Sequence, residues 1–181
     1  ILDLVNLQKN NEVIQEIIVV DDGSVDQTPV FLKKFKNKYD KLITLKKNSG
    51  KGYAIKHGIK SATGDYILFQ DADLEYDPSD YINLVKPILD LEADLVIGSR
   101  FSGSLISRTS YFWNKIGNKL ITLIFNILNN TTFTDIYTCY IIFKKSLLDS
   151  EKLRSSGWQQ QAEILGKIVK VGERFFEVPI N

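Results

Sequence analysis

The sequence predicts an α/β fold with a mainly parallel sheet, and three observations indicate it. Predicted strands alternate with predicted helices along the first hundred residues, as in successive right-handed crossovers. The apolar run Tyr66–Phe69 is typical of a strand that is covered on both faces. Polar or charged residues follow three of the strands, and open α/β sheets bind ligands at such strand ends.

Composition limits the protein classes. The 181 residues are 44% hydrophobic, enough for one sizeable core, so we predict that residues 1–181 form a single domain. The chain begins at Ile1 inside a helical pattern, and we expect a domain that is truncated at both ends. Lys and Arg number 23 against 22 Asp and Glu, which argues against a nucleic-acid partner. A single cysteine and a single histidine exclude a Cys/His zinc cluster within the chain, and the absence of a secretory signal favours the cytoplasm.

The elements of the first half follow from the pattern. We predict a strand over 16–20, a helix that Thr28 and Pro29 open, a strand over 42–45 and a helix over about 53–62. Asp21 and Asp22 follow the first of these strands. A loop with two glycines precedes the second helix, so the backbone there could come close to a ligand. Lys51 in that loop suits a phosphate contact or a solvated position equally well.

The central strand ends in a group of acids. Asp71, Asp73 and Glu75 follow Tyr66–Phe69 within a few residues. Hard oxygen donors at a strand end suit Mg²⁺ or Mn²⁺, so we predict a metal site of these three carboxylates. A solvated turn after the strand is the alternative.

The second half continues the alternation and adds a long helix. We predict a helix that begins at Asp77 and Pro78, a strand over 94–97 followed by Arg100, and later a strand over 138–143, a helix over 160–169 and a strand over 173–180. Tyr111–Leu128 predicts an amphipathic helix, and its two lysines argue against a membrane span. Its apolar face could pack on the domain or lie at a membrane surface, and the sequence alone leaves both open.

Six stretches together resemble the family 2 glycosyltransferases, in the dolichyl-phosphate mannose synthase-like branch that glycosylates polyprenyl phosphates. They are IIVVDDGSVDQT, NSGKGYAIKHGIKSATGDYILFQDADLEYDP, IGSRF, YFWNKIGNKLITLIFNIL, TDIYTCYIIFKKSLL and AEILGKIVKVGERFFEVPI. The resemblance implies the glycosyltransferase A fold, a Rossmann-like α/β/α sandwich that binds a nucleotide-diphosphate sugar.

The resemblance also implies residue roles. Asp21 and Asp22 would lie near the base and ribose of the sugar donor, and Arg100 near the acceptor phosphate or the donor diphosphate. Asp71 and Asp73 would form the metal and diphosphate motif, with Glu75 as a further ligand. The acidic positions on the acceptor side match Asp135 and Glu163.

We therefore predict an inverting, metal-dependent transfer from GDP-mannose or a UDP-hexose to an acceptor, a polyprenyl phosphate by resemblance. A lipid phosphate is already an anion near pH 7 and needs no base, whereas a hydroxyl acceptor would need Asp135 or Glu163 to take its proton. The predicted location is cytoplasmic, on the cytoplasmic face of a membrane if the enzyme is peripheral. The alternatives are a sugar-nucleotide-binding module without activity and a phospho-receiver-like signalling domain.

Overall fold

The computed structural model describes residues 2–7, 13, 15–103 and 111–180. The first half contains α1 (Leu2–Leu7), β1 (Ile18–Asp21), α2 (Thr28–Lys34), β2 (Lys41–Thr44), α3 (Lys51–Ser61), β3 (Tyr66–Leu68) and α4 (Tyr81–Leu91). The second half contains β4 (Leu95–Ser99), α5 (Phe112–Asn129), β5 (Ile141–Lys144), α6 (Gln160–Ile168) and β6 (Phe175–Pro179). The strands and helices alternate as predicted.

The strands of the described residues form two sheets. β1 and β2 pair in parallel, and a four-stranded sheet has the order β3-β5-β4-β6. β5 is antiparallel to both β3 and β4, whereas β6 is parallel to β4. Three strands of the larger sheet therefore run in one direction and β5 alone is reversed. The predicted α/β class is confirmed, with an antiparallel strand inside the sheet that the sequence pattern did not reveal.

Both faces of the larger sheet are buried. Leu95 and Ile97 of β4 pack into one hydrophobic cluster, together with residues of α3, α5 and α6, while Val96 between them packs into a second cluster with α4. Side chains that alternate between two covered faces explain why β4 is apolar at successive positions. The result is a layered α/β/α arrangement in which the ends of the strands are left to form a site.

The start of α2 differs from the prediction by one residue. Thr28 is the first helical residue rather than the N-cap, and Gln27 occupies the cap position without a side-chain bond. The Asp26 carboxylate accepts the Thr28 N–H at 2.9 Å and supplies the missing acceptor. Pro29 lies in the first turn, where its missing N–H costs nothing.

The helix α5 presents its polar side to the domain. Thr122 is buried, and Asn118, Asn126 and Asn129 are half-buried on the same side. Large apolar side chains point outward instead: Phe112, Trp113, Ile116, Leu120, Ile121, Leu123, Ile124, Ile127 and Leu128 are all exposed. Phe125 is the one large apolar residue of α5 that is buried, so most of the apolar face of the helix lies outside the domain, unlike that of a helix packed on a core. In the part of the chain that the structure describes, no helix is long and apolar enough to cross a membrane.

Candidate active site

A buried hydrogen-bond network fixes the loop after β3. The Gln70 side-chain oxygen accepts the hydroxyls of Tyr81 and Tyr140, at 2.9 and 2.7 Å. Its amide nitrogen donates to the Asp71 carbonyl oxygen at 2.9 Å. Burial raises the pKa of both tyrosines above its ordinary value, so their hydroxyls remain donors. Gln70 therefore anchors the first acid of the predicted metal motif.

The Asp71 carboxylate lies between a cation and a thiol. Lys51 Nζ donates to Asp71 Oδ2 at 2.6 Å, and the buried thiol of Cys139 lies close to the same carboxylate. The Trp158 ring lies beneath the ammonium, 5.2 Å from Nζ to the ring centroid. Burial, reinforced by the charge of Asp71, raises the pKa of the Cys139 thiol to about 12. Asp71 is thus partnered inside the protein.

Asp73 and Glu75 lie further out in the same loop. Both are exposed, and Asp73 Oδ1 accepts the Glu75 N–H at 3.0 Å in a local turn. Among the residues that the structure describes, no three acidic, cysteine or histidine side chains are grouped to hold a metal ion. The predicted trio is therefore not assembled in this conformation. Two aspartates of this loop still offer the hard oxygens that Mg²⁺ or Mn²⁺ takes together with phosphate oxygens, so the donor set fits such an ion.

The acids after β1 have different surroundings. Asp22 accepts the N–H groups of Ser49 and Gly50, at 2.9 and 2.8 Å, and so holds the loop that leads into α3. Asp21 is 4% exposed and accepts the Ser24 N–H through Oδ1 at 3.0 Å. Its other oxygen, Oδ2, is buried without a hydrogen-bond partner among the described residues. Of the two acids, Asp21 is the one with unused bonding capacity.

The two glycines at the start of α3 allow another segment of the same chain to come close to the backbone there. A Cβ on Gly50, whose φ is +94°, would meet the Ser156 carbonyl oxygen at 2.6 Å, and one on Gly52 would meet the Ser155 carbonyl oxygen at 2.5 Å. Gly52 N also donates to the Ser156 oxygen at 2.8 Å. The close approach that the sequence suggested for a ligand is thus made by the segment 155–156.

Glu163 on α6 holds that same segment. Its carboxylate accepts the N–H of Ser155 at 2.8 Å and that of Arg154 at 3.0 and 3.1 Å, with Lys167 Nζ at 3.5 Å from Oε1. Burial would raise the pKa of Glu163, but these backbone donors lower it below its ordinary value. The Glu163 carboxylate therefore fixes the position of the loop that carries Trp158.

Arg100 follows β4 and pairs with Asp135. Asp135 is fully buried, and its two oxygens accept Nε and Nη2 of Arg100 at 2.7 and 2.9 Å. Burial would lower the pKa of Arg100, but Asp135, with a smaller contribution from Glu75, raises it. About a third of the Arg100 side chain stays exposed. The pair presents a fixed guanidinium at the strand-end edge.

The structure therefore brings Lys51 to Asp71 and Arg100 to Asp135, and it uses Asp22 and Glu163 to hold loops. Sequence reasoning missed Gln70, Tyr140, Cys139 and Trp158. Gln70 had a usable signal, since it directly precedes the acids at the strand end. The other three lie far from Asp71 in the chain, and no local pattern links them to it.

Acids and an arginine at the ends of strands, in an α/β/α domain, define an α/β protein that binds its ligand at the carboxyl ends of the strands. Residues 2–150 match the family Glycosyl transferase family 2, and the chain belongs to that family. The predicted enzyme class, glycosyltransferase, is confirmed, and the signalling-domain alternative is excluded.

Two curated relatives support the same family. A UDP-N-acetylglucosamine–dolichyl-phosphate N-acetylglucosaminyltransferase of Methanococcus voltae is 30% identical over 97% of this chain and 77% of its own length. A human dolichyl-phosphate beta-glucosyltransferase is 42% identical over 54% of this chain and 33% of its own length. The chain thus spans only a third of the human relative. Both names are consistent with the predicted polyprenyl-phosphate branch.

Solved structures show the fold. Glucosyl-3-phosphoglycerate synthase from Mycobacterium tuberculosis, crystallised with Mn²⁺, UDP and glucosyl-3-phosphoglycerate, superposes with a TM-score of 0.69 at 16% identity, over 99% of this chain and 64% of that one. TarS of S. aureus superposes with a TM-score of 0.59 at 21% identity, over 90% of this chain and 48% of that one. The glycosyltransferase A fold that the sequence predicted is confirmed.

Proposed function

We propose that this domain transfers a hexose from a uridine-diphosphate sugar to a polyprenyl phosphate in a single inverting step. The observation that carries the proposal is that both predicted bases, Asp135 and Glu163, are already bonded to protein donors. An acceptor hydroxyl would need one of them to take a proton. A lipid phosphate is ionised near pH 7 and can attack without a base.

The two ends of the site suit the two substrates. The unpartnered Oδ2 of Asp21 would accept an N–H or O–H of the nucleoside, and a buried oxygen without a partner costs free energy until it gains one. Arg100, oriented by Asp135, would hold the acceptor phosphate, for which a planar guanidinium is suited. Asp73 and Glu75 lie on the exposed loop that follows β3.

Asp71 and Asp73 would hold Mg²⁺ or Mn²⁺ together with the sugar donor's diphosphate. Such an ion, when bound, neutralises charge on the leaving nucleoside diphosphate. Two carboxylates alone leave most of the coordination shell to phosphate oxygens and water, so we expect weak metal binding without the nucleotide. The Gln70 network keeps Asp71 at the strand end for this purpose.

The outward face of α5 supports a lipid acceptor. Trp113 and Leu128 are each 77% exposed, and such a continuous apolar surface is typical of an interaction site. Lys115 Nζ lies 5.5 Å from the centroid of the Phe101 ring, and Phe101 directly follows Arg100. Aromatic side chains with basic neighbours are typical of helices at a bilayer interface, where the acceptor's tail would be held. Phe125, which the sequence alone places in the apolar face, is buried against the domain.

Binding to a panel of UDP- and GDP-sugars, with Mg²⁺, Mn²⁺ or a chelator, tests the donor. We expect metal-dependent binding of a UDP-sugar that Asp73→Asn abolishes and that Asp90→Asn, at an exposed acid of α4, leaves unchanged. Metal-independent binding, or a preference for GDP-sugars, would contradict the proposal. Donor binding without transfer to any polyprenyl phosphate would favour the inactive binding module.

Co-sedimentation with anionic liposomes tests whether the outward face of α5 binds a membrane. The variant Phe112→Ser/Trp113→Ser/Leu128→Ser should lose binding while it keeps the wild-type thermal unfolding temperature, because all three side chains are exposed. A control with three exposed apolar residues elsewhere, Val25→Ser/Ile82→Ser/Val171→Ser, should bind as the wild type does. Equal loss of liposome binding in both variants would show that α5 is not the membrane-binding surface.

A further inference from the structure

A protein cation occupies the oxygen that the proposed metal would use. Lys51 Nζ lies 2.6 Å from Asp71 Oδ2, and both side chains are 28% exposed. The Trp158 ring lies on the same ammonium, 5.2 Å from its centroid to Nζ, and the buried Cys139 thiol lies close to the Asp71 carboxylate. The ion pair is therefore held from both ends and is not a chance surface contact.

A metal ion and this ammonium compete for Asp71. Mg²⁺ binds oxygen at about 2.0–2.1 Å, so an ion on Oδ2 with Lys51 in place would lie less than about 5 Å from Nζ. Two cations at that separation in a partly buried site repel each other strongly. Binding of either cation to Asp71 therefore weakens binding of the other.

The Lys51 side chain can move its ammonium to another position. Lys51 is the first residue of α3 and has a long flexible stem, and Asp22 fixes the turn directly before it through the Gly50 N–H. A rotation about its side-chain bonds moves the ammonium away from Asp71 without moving the helix. A diphosphate bound at Asp71 and Asp73 would lie within reach of that ammonium, and phosphate is a common partner of lysine at the start of a helix.

We propose that Lys51 is the resident counter-ion of Asp71, which a divalent metal displaces, and that the freed ammonium then binds the sugar donor's diphosphate. This inference rests on the metal and donor site of the proposed function. Each charge has a partner before and after the exchange: Asp71 passes from Lys51 to the metal, and Lys51 passes from Asp71 to the diphosphate. The exchange couples metal binding to nucleotide binding, so that each is weak alone.

The coupling gives Lys51 variants two effects of opposite sign. Removing the ammonium should strengthen binding of the metal alone, because its competitor is gone, and should weaken binding of UDP in the presence of metal. A lysine that merely contacts phosphate would leave metal binding without nucleotide unchanged. A lysine that merely supports the fold would weaken both.

The experiment measures the Kd for Mn²⁺ of the full-length protein by electron paramagnetic resonance, first without nucleotide and then with UDP. In Lys51→Met we expect at least tenfold tighter Mn²⁺ binding without nucleotide and at least tenfold weaker UDP binding with Mn²⁺. Lys51→Arg, which keeps the charge, and Lys46→Met, at an exposed lysine outside the site, should bind Mn²⁺ alone as the wild type does. Lys51→Gln gives the same test if the methionine variant does not fold.

A double variant separates this mechanism from a general change in charge. In Asp71→Asn, addition of Lys51→Met should leave Mn²⁺ binding unaltered, since the carboxylate for which the two cations compete is gone. Unchanged or weaker Mn²⁺ binding in Lys51→Met alone would overturn the exchange. If wild-type protein shows no metal-dependent UDP binding, the proposed function fails; tighter Mn²⁺ binding by Lys51→Met in that case would still support displacement from Asp71 but not transfer to a diphosphate.

Discussion

The buried carboxylate of Asp135 accepts Nε and Nη2 of Arg100 at 2.7 and 2.9 Å, so that a residue with no exposed surface orients one that reaches the site. This fork-shaped contact fixes both the position and the plane of the guanidinium. A lysine at position 100 would keep the charge and lose the plane.

Arg100→Lys should therefore impair acceptor use more than donor use. We expect at least a tenfold rise in the KM for polyprenyl phosphate with little change in UDP-sugar affinity, measured by steady-state kinetics and calorimetry. Stability should fall by about 1.5–3 kcal/mol, because a buried carboxylate loses a charge-assisted hydrogen bond. The control is Arg174→Lys, whose arginine pairs with Glu92 at the surface, where the exchange should have little effect on stability. Equal effects of the two variants would contradict the role of Arg100.

Gln70→Leu should destabilise the domain through two tyrosine hydroxyls. Both hydroxyls donate to the Gln70 side-chain oxygen, and each buried hydroxyl without an acceptor costs about 1–3 kcal/mol. Urea unfolding measures the loss. Adding Tyr81→Phe and Tyr140→Phe to the same variant should restore much of the stability, since removal of both partners leaves no unsatisfied group. A triple variant less stable than Gln70→Leu would show that packing, not hydrogen bonding, dominates this network.

Cys139 should be inert to thiol reagents in the folded protein. Burial raises its pKa to about 12, so the thiolate is scarcely populated at pH 8, and the residue is 5% exposed. We expect modification by an aromatic disulfide reagent to proceed no faster than unfolding, and to reach one thiol per chain at once in urea. Rapid labelling at pH 8 without denaturant would contradict the burial of this thiol beside Asp71.

Glu16 should make stability dependent on pH in the acid range. The Thr63 N–H, with Lys41 as the second partner, lowers the pKa of Glu16 from 4.5 to about 2. A group whose folded pKa is lowered stabilises the fold above its unfolded pKa and loses that contribution as pH falls through the folded value. The difference in unfolding free energy between wild type and Glu16→Gln should be full above about pH 5 and vanish near pH 2. Because solvent screens the Glu16–Lys41 pair, we expect this difference in unfolding free energy to be at most about 1 kcal/mol. A difference that stays constant between pH 2 and pH 6 would contradict this role of Glu16.

Much of the fold could be predicted from the sequence because local patterns record local burial. The apolar run Tyr66–Phe69 indicated a strand covered on both faces, and in β3 Ile67 packs into one hydrophobic cluster while Tyr66 and Leu68 pack into the other. The predicted helix 111–128 matches α5 at Phe112–Asn129 within one residue at each end. The acids and the arginine that follow strands were found the same way, because a polar residue after a buried strand is visible in the sequence.

The roles of those polar residues were decided by tertiary structure. Asp22 and Glu163 carry the charge expected of ligand contacts, yet their oxygens accept backbone N–H groups of loops that the fold brings to them. Lys51 meets Asp71 across 20 residues of chain, and Arg100 meets Asp135 across 35. Spacing in sequence carries no information about such pairs, since the packing of distant elements determines them.

The direction of α5 shows the same limit. Its sequence specified an apolar face and a polar stripe, and an isolated helix has no preference about which side meets the domain. Only the packed structure places Thr122 inward and Trp113 outward. The sequence by itself determined where strands and helices lie and which side chains could do chemistry, because periodicity and residue type are local properties. Tertiary structure decided which of those side chains are already bonded and which surfaces stay open, because both depend on contacts between elements far apart in the chain.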